Sequence, residues 1–306
     1  MQQFFERAEQ IVRDRDHGSR WLVREAVLLL RSLAMEQSIN PQQQVETLFA
    51  VGRRLAFARP AMSALPSAVS RVLCSTHGPE TDVAVIAQKA TDFLEAYDAA
   101  IKQIVEHARP ALHGNVLTCS LSHTLVEALE ACRERVEQVY VLEGRPRYEG
   151  RTMAQQLALA NIQVTLLTDA QAAIFLPQCQ CVVVGADSLL ADGTVLNKAG
   201  TALLAWAAQG YQVPLYVLCE TLKISSRRWS DDLAQFAERA HLLEEKEASE
   251  VWDQPPIGVT VRNYYFDATP AKLVRGWLTE RGSLTVPEIA SIAHETQQAI
   301  HMLEQR

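Results

Sequence analysis

Long apolar runs are missing from this 306-residue chain. No stretch approaches the roughly 20 apolar residues of a membrane-spanning helix, which argues against an integral membrane protein. A basic excess is missing too. Lys and Arg number 29 against 36 Asp and Glu, a formal charge of −7, so nothing suggests direct nucleic-acid binding. A local cationic pocket stays open, and a small phosphorylated ligand needs only that. Glycine and proline are sparse, at 13 and 12, and the composition excludes a disordered or collagen-like chain. Residues 1–16 are charged within their first turns and hold no apolar signal core, so the expected compartment is the cytoplasm. There the six cysteines, at 74, 119, 132, 179, 181 and 219, are expected to be reduced thiols. Cys179 and Cys181 have no Cys/His cluster at zinc spacing. The GxGxxG and GxxxxGK[ST] loops are absent as well. The sequence therefore predicts no metal and no cofactor.

What is present divides in two. Residues 21–33 place apolar side chains at three- and four-residue spacing without Gly or Pro. Residues 46–57 repeat the pattern, and 81–108 make one long helical stretch. Pro60 and Pro66 punctuate the segment between. After Gly114 the texture changes. β-rich runs at 116–119, 138–142, 163–167, 181–184 and 214–218 alternate with helical runs at 124–136, 152–160, 170–176 and 199–209. Such alternation, with near-continuous apolar strands, predicts a parallel sheet covered on both faces. The expected fold class is α/β: an N-terminal helical domain over 1–112, then a Rossmann-like parallel-sheet domain over 113–306. From Trp252 the tail reads as a docked extension ending in a helix, and 231–250 as an acidic, solvated helix.

In sheets of this kind ligands bind beyond the carboxyl ends of the strands. The residues just past the five runs include Ser120 and Ser122, Glu143, Arg145 and Arg147, Thr168 and Asp169, Asp187, and Glu220 and Lys223. All fall on one rim, with Arg, Lys and Asp among them. His123 beside Ser122 has no evident supporting Asp, so a hydrolase triad has no support.

Three blocks carry a further signal: Arg59-Pro-Ala-Met-Ser-Ala-Leu-Pro66, Glu143-Gly-Arg-Pro-Arg-Tyr-Glu-Gly150, and residues 185–201 with Asp187, Asn197 and Lys198. With residues 266–270 they occur in order across nearly the whole chain. Together they resemble the family shared by methylthioribose-1-phosphate and ribose-1,5-bisphosphate isomerases and the alpha, beta and delta subunits of initiation factor 2B. The resemblance implies a helical N-terminal domain, a Rossmann-like second domain, a pocket between them, and homodimers or larger homo-oligomers. It also implies site residues. In the isomerases the first strand ends in a segment whose Cys is a catalytic acid/base; here Cys119 and Ser120 occupy the turn, with Ser120 at the Cys position. A serine hydroxyl without a partner base stays protonated. This turn and residues 220–223 are closer to the factor-type pattern. Asp187 stands where the isomerases have their catalytic Asp, so the catalytic candidates are Asp187 with Ser120 or Cys119. Arg59 matches a phosphate-binding arginine, and Arg145, Asn197 and Lys198 fall in matching blocks, so these four are expected to bind substrate. His17 fills an arginine position, and that phosphate contact either is lost or passes to Arg20. A helix cap or turn residue for Asp187 and a solvated loop charge for Arg59 stay open as alternatives. The expected ligand is a phosphorylated sugar or nucleotide. Aldose–ketose isomerisation of a ribose-1-phosphate-type sugar is placed ahead of a non-catalytic regulatory role.

Overall fold

Apolar side chains at helical spacing give the first five helices one buried face each. The computed structural model describes residues 1–15, 17–59, 61–74, 82–229 and 240–305. Helix α1 (Gln2–Arg13) buries Phe4, Ala8 and Ile11, and α2 (Ser19–Ala34) buries Leu22, Val23, Ala26 and Leu30. Helix α3 (Pro41–Ala56) starts ahead of the expected run because Asn40 caps it, accepting the Gln42 N–H, with Pro41 in the first turn. Gly52 lets α3 and α4 (Ala64–Leu73) approach closely: an added Cβ would stand 2.3 Å from the Leu73 side chain. Helix α5 (Val83–Ala108) is capped by Asp82; residue 81, where the helix was expected to begin, lies outside the described residues. The first half of α5 packs into the helical core through Ile86, Ala90 and Leu94. Its second half packs into the sheet core through Ile101, Ile104 and Val105.

The central sheet is mostly parallel, as the alternation predicts. Strands β1 (Gly114–Cys119), β2 (Val136–Leu142), β3 (Val164–Leu167), β4 (Cys181–Val184), β7 (Leu215–Leu218) and β10 (Gly276–Thr279) line up in the order β3-β2-β1-β4-β7-β10. Strand β11 (Gly282–Leu284) adds an antiparallel edge. Leu117 pairs with Tyr140 on one side and with Val182 on the other. Successive side chains point to opposite faces, and both faces are covered. Val116, Val139, Val141 and Val183 pack with α5 and with α6 (His123–Ala131) and α7 (Glu149–Leu159). Leu117, Tyr140, Val182 and Val184 pack with α9 (Thr201–Gly210) and the C-terminal helix (Val286–Gln305). A short α8 (Ala172–Phe175) links β3 to β4.

A second, four-stranded sheet adds strands that the sequence pattern does not predict. Strands β5 (Ser188–Leu190) and β6 (Val195–Lys198) form a hairpin, flanked by β8 (Ile224–Ser225) and β9 (Phe266–Thr269). Asp192 accepts the Thr194 N–H in the turn, where Gly193 takes φ +82°. Strands this short show no alternation in sequence. The tail from Trp252 is accordingly more than a docked extension, because it supplies β9 to this sheet and β10 and β11 to the main one. Helix α6 stops at Ala131, short of 136, because Val136, Val139 and Val141 continue β2. Of the expected acidic helix, 231–239 lie outside the described residues; in the rest His241, Glu245 and Glu247 are exposed, while Leu242 is buried and the Glu244 side chain is largely covered. Among the described residues no helix is long and apolar enough to cross a membrane, and the six cysteines are free thiols.

Asp267 on β9 ties the two sheets together by capping α9: its carboxylate accepts the N–H groups of Gly200 at 2.7 Å and Ala202 at 3.0 Å. Burial raises this carboxyl from 3.8 to about 6, outweighing the two donors that lower it. A folded value above the unfolded one means the native state holds the proton longer. The associated stability is therefore present below pH 4 and lost as pH rises through 6. Asp267→Asn does not titrate, so the wild type should lose about 3 kcal/mol relative to it between pH 4 and 7. Urea denaturation of both proteins across that range measures the difference; parallel curves would refute it.

Candidate functional site

Chain direction fixes where a crevice can open. From β1 the chain moves outward to β2, whereas from β4 it moves the opposite way to β7. The carboxyl ends of β1 and β4 are thus the switch point of the sheet, where loops diverge and leave room for a ligand. Ser120 follows β1 and Asp187 follows β4. Between them and the N-terminal helices lies a cavity of about 640 Å³. Its walls include Arg59, Ser120, Asp187 and Lys198, four of the residues expected from sequence.

Asp187 is clamped through the backbone. Its own N–H donates to the Leu196 carbonyl at 2.9 Å, and the preceding Ala186 carbonyl accepts from Lys223 Nζ at 2.7 Å. The following Ser188 Oγ donates to the Ala61 carbonyl and accepts the Ser63 N–H at 3.0 Å, tying the hairpin to the start of α4. Asp187 leads into a strand, not a helix, so it is not a cap. Its carboxylate has no hydrogen bond or ion pair among the described residues. Burial lifts it above the usual carboxylate range, against the pull of Lys223 and Lys198.

Ser120 sits at φ +61°, a left-handed conformation that is strained for serine, at a cost of about 1–3 kcal/mol. Lys198, on β6, pairs with Glu149 at 2.8 Å and stands over the Tyr265 ring at 4.4 Å. Arg59 donates to the Val12 carbonyl at 3.3 Å, and burial pulls its pKa below the usual value.

The remaining expected residues sit elsewhere. Cys119 lies in the core beneath the cavity, its Sγ 3.4 Å from Thr201 Oγ1, and burial pushes its thiol up to about 12. Asn197 is buried, donating to Thr201 Oγ1 at 3.0 Å, and it lines a neighbouring cavity of about 70 Å³ with Asp187, Ser122 and Lys223. Arg145 is exposed and outside the cavity, bonded to the Tyr148 hydroxyl and to the Val251 carbonyl at 3.4 Å. Asp169 accepts the Gly144 and Arg145 N–H groups at 2.9 and 2.8 Å, and it is Arg147 that reaches the cavity. Gly150 permits this fold of the loop: a Cβ there would lie 1.9 Å from the Leu142 carbonyl. His17 lines the cavity while stacked on Trp21 at 4.1 Å. Arg20 instead turns inward to Glu220 at 2.9 Å and to the Tyr97 carbonyl at 2.8 Å.

Sequence reasoning missed part of the wall. Glu149 and Tyr265 lie within or beside quoted blocks but had no role assigned. Arg13 and Arg15 fall in the charged N-terminal stretch, to which no site role was assigned, and Glu244 and Lys246 in the acidic stretch over 231–250. With them the charge balance becomes clear. Arg13, Arg15, Arg59, Arg147, Lys198 and Lys246, six cations, face four carboxylates, Asp187, Glu149, Glu244 and Glu245. Among the described lining residues cations thus outnumber carboxylates by two, in a chain of formal charge −7, which suits a phosphorylated ligand. Among the described residues no cluster of His, Cys, Asp or Glu could hold a metal.

The chain is similar to several known proteins over most of its length. A ribose 1,5-bisphosphate isomerase of Archaeoglobus fulgidus is 31% identical over 299 residues, covering 95% of this chain and 92% of that protein. A methylthioribose-1-phosphate isomerase of Gemmatimonas aurantiaca is 32% identical over 251 residues, 76% of this chain and 71% of its own length. The crystal structure of a Pyrococcus horikoshii translation initiation factor eIF-2B superposes with a TM-score of 0.78 at 27% identity, covering 94% of this chain and 98% of that one. The initiation factor 2 subunit family matches residues 15–286. The chain belongs to the initiation factor 2 subunit family.

Proposed function

We propose that the cavity binds a ribose-1-phosphate-type sugar and interconverts its aldose and ketose forms. One observation carries this reading: the Asp187 carboxyl, raised by burial and unpaired among the described residues, faces the same space as Lys198 and Arg59. The relatives named as ribose 1,5-bisphosphate and methylthioribose-1-phosphate isomerases supply the substrate class. Arg59, Arg147 and Lys198 hold phosphate and hydroxyl groups, the guanidinium forks suiting phosphate oxygens.

The anomeric phosphate blocks simple ring opening, so the ring oxygen must be protonated. Protonated Asp187 gives its proton there and the C1–O bond breaks, leaving an electron-poor C1. The C2 hydrogen then moves with its electron pair to C1. The Asp187 carboxylate accepts the 2-hydroxyl proton, and a ketone forms at C2. Proton count is restored, and one carboxyl serves as acid and then base.

A second reading, a non-catalytic regulatory protein using the same pocket, is favoured by Ser120, a hydroxyl where the family's isomerases carry a thiol. Assembly as a homodimer or larger homo-oligomer and a cytoplasmic location belong to the proposal under either reading. Exposed Leu203 and Trp206 on α9 support assembly.

Phosphorus and proton NMR with ribose 1,5-bisphosphate and methylthioribose 1-phosphate decides between the readings. Isomerisation predicts loss of the anomeric phosphate signal and growth of a ketose signal, reduced at least about 100-fold by Asp187→Asn. No turnover after hours at high enzyme concentration would leave the regulatory reading standing. Arg59→Met should weaken binding of either sugar phosphate roughly tenfold or more by calorimetry, and an unchanged Kd would remove Arg59 from the site.

A further inference from the structure

The small cavity behind Asp187 contains a cation that phosphate binding does not need. Lys223 lies just past β7, its side chain buried, and Nζ donates to the Ala186 carbonyl at 2.7 Å. Its acidic neighbour, Glu220, stands 3.7 Å away, too far for a hydrogen bond. Glu220 is already served by Arg20 at 2.9 Å, with the Thr124 hydroxyl at 3.5 Å. An ammonium has three donors, and among the described residues one of the three on Lys223 is used. Lys223 and Asp187 line the same cavity of about 70 Å³.

We propose that Lys223 is a positioning residue for Asp187: it anchors the backbone carbonyl beside Asp187 and supplies the charge that offsets burial of its carboxyl. The mechanistic part of this rests on the isomerase reading. Around the small cavity Arg20 and Lys223 bring two positive charges, and Glu220 and Asp187 two negative ones. Glu220 is shared between Arg20 at 2.9 Å and Lys223 at 3.7 Å, so the Lys223 charge acts on Glu220 and on Asp187 together. Other groups face Asp187 with less net effect. Lys198 is paired with Glu149, and Glu244 with Lys246 at 2.8 Å. Arg59 couples to Asp187 from the α3–α4 link. Farther out on the main cavity stand Arg13, Arg15, His17, Arg147, His241 and Glu245. A carboxyl that first gives and then takes a proton works best when its pKa lies near the operating pH. The Lys223 charge opposes the rise that burial gives the Asp187 carboxyl.

The test is a carbon-13 carboxyl NMR titration of the full-length protein, with the Asp187 resonance assigned by its loss in Asp187→Asn. Lys223→Met should raise the Asp187 midpoint by about one unit or more, a tenfold change in proton affinity. With ribose 1,5-bisphosphate, kcat should fall at least about tenfold with KM little changed, and the pH profile should move with the titration. Lys223→Arg should restore most of the midpoint. If Lys223→Met does not fold, Lys223→Gln, which removes the charge and keeps an N–H donor for the Ala186 carbonyl, is read in the same way. A folded variant whose Asp187 midpoint is unmoved overturns the proposal. Wild-type protein without turnover would refute the isomerase reading alone, because the titration is read without substrate.

Discussion

The seat of the N-terminal helices on the sheet depends on one buried ion pair, Arg20 with Glu220. Arg20 lies at the start of α2 and Glu220 just past β7, and the bond between them spans 2.9 Å. The guanidinium also donates to the Tyr97 carbonyl and lies over the Tyr97 ring at 4.3 Å. Burial pushes Glu220 up, but Lys223, its own backbone N–H and Arg20 together hold it below the usual range. Such a pair adds little net stability, since desolvation offsets its attraction, yet losing one partner costs about 3–5 kcal/mol. The pair therefore specifies one arrangement of helices over sheet more than it strengthens the fold. That arrangement brings Arg13, Arg15 and His17, from α1 and its link to α2, over the ends of β1 and β4.

With the helices seated, the second sheet completes the site. Lys198 cannot come from the main sheet, whose strand ends at the switch point supply Ser120 and Asp187. It arrives on β6, which is held in register by β9, with Lys198 opposite Phe266 and Asn197 opposite Asp267. The same β9 caps α9 through Asp267. A helix terminus, a hairpin and a cavity wall are thus fixed by one strand, contributed by the tail of the chain.

Much of this was legible in the sequence. Apolar strand runs alternating with helices gave the parallel sheet, and the residues past each run fell on the rim that opens into the cavity. What was not legible had local causes. Strands β5, β6 and β9 hold only three or four residues each, too few to show alternation. Arg145 and Arg147 are indistinguishable by spacing. Only the Asp169 bonds to the loop backbone decide that Arg145 turns to Tyr148 while Arg147 lines the cavity. Cys119 and Ser120 are likewise neighbours in one turn, and strand geometry sends the first into the core and leaves the second at the cavity.

This last separation bears on how chemistry can proceed without the family thiol. Cys119, pushed up to about 12 and packed against Thr201, holds its proton throughout the neutral range. Ser120 cannot act as a base without a partner. Under the proposed isomerisation, proton traffic therefore reduces to Asp187. The ring oxygen and the 2-hydroxyl flank the same C1–C2 bond, so the two oxygens of a single carboxyl can serve both in succession, provided its proton affinity lies between theirs. Ser120 then has a different use. Under the same proposal its hydroxyl, on the cavity wall beside Asp187, would donate a hydrogen bond to the oxygen that becomes the carbonyl, a stabilising role that requires position and no titration.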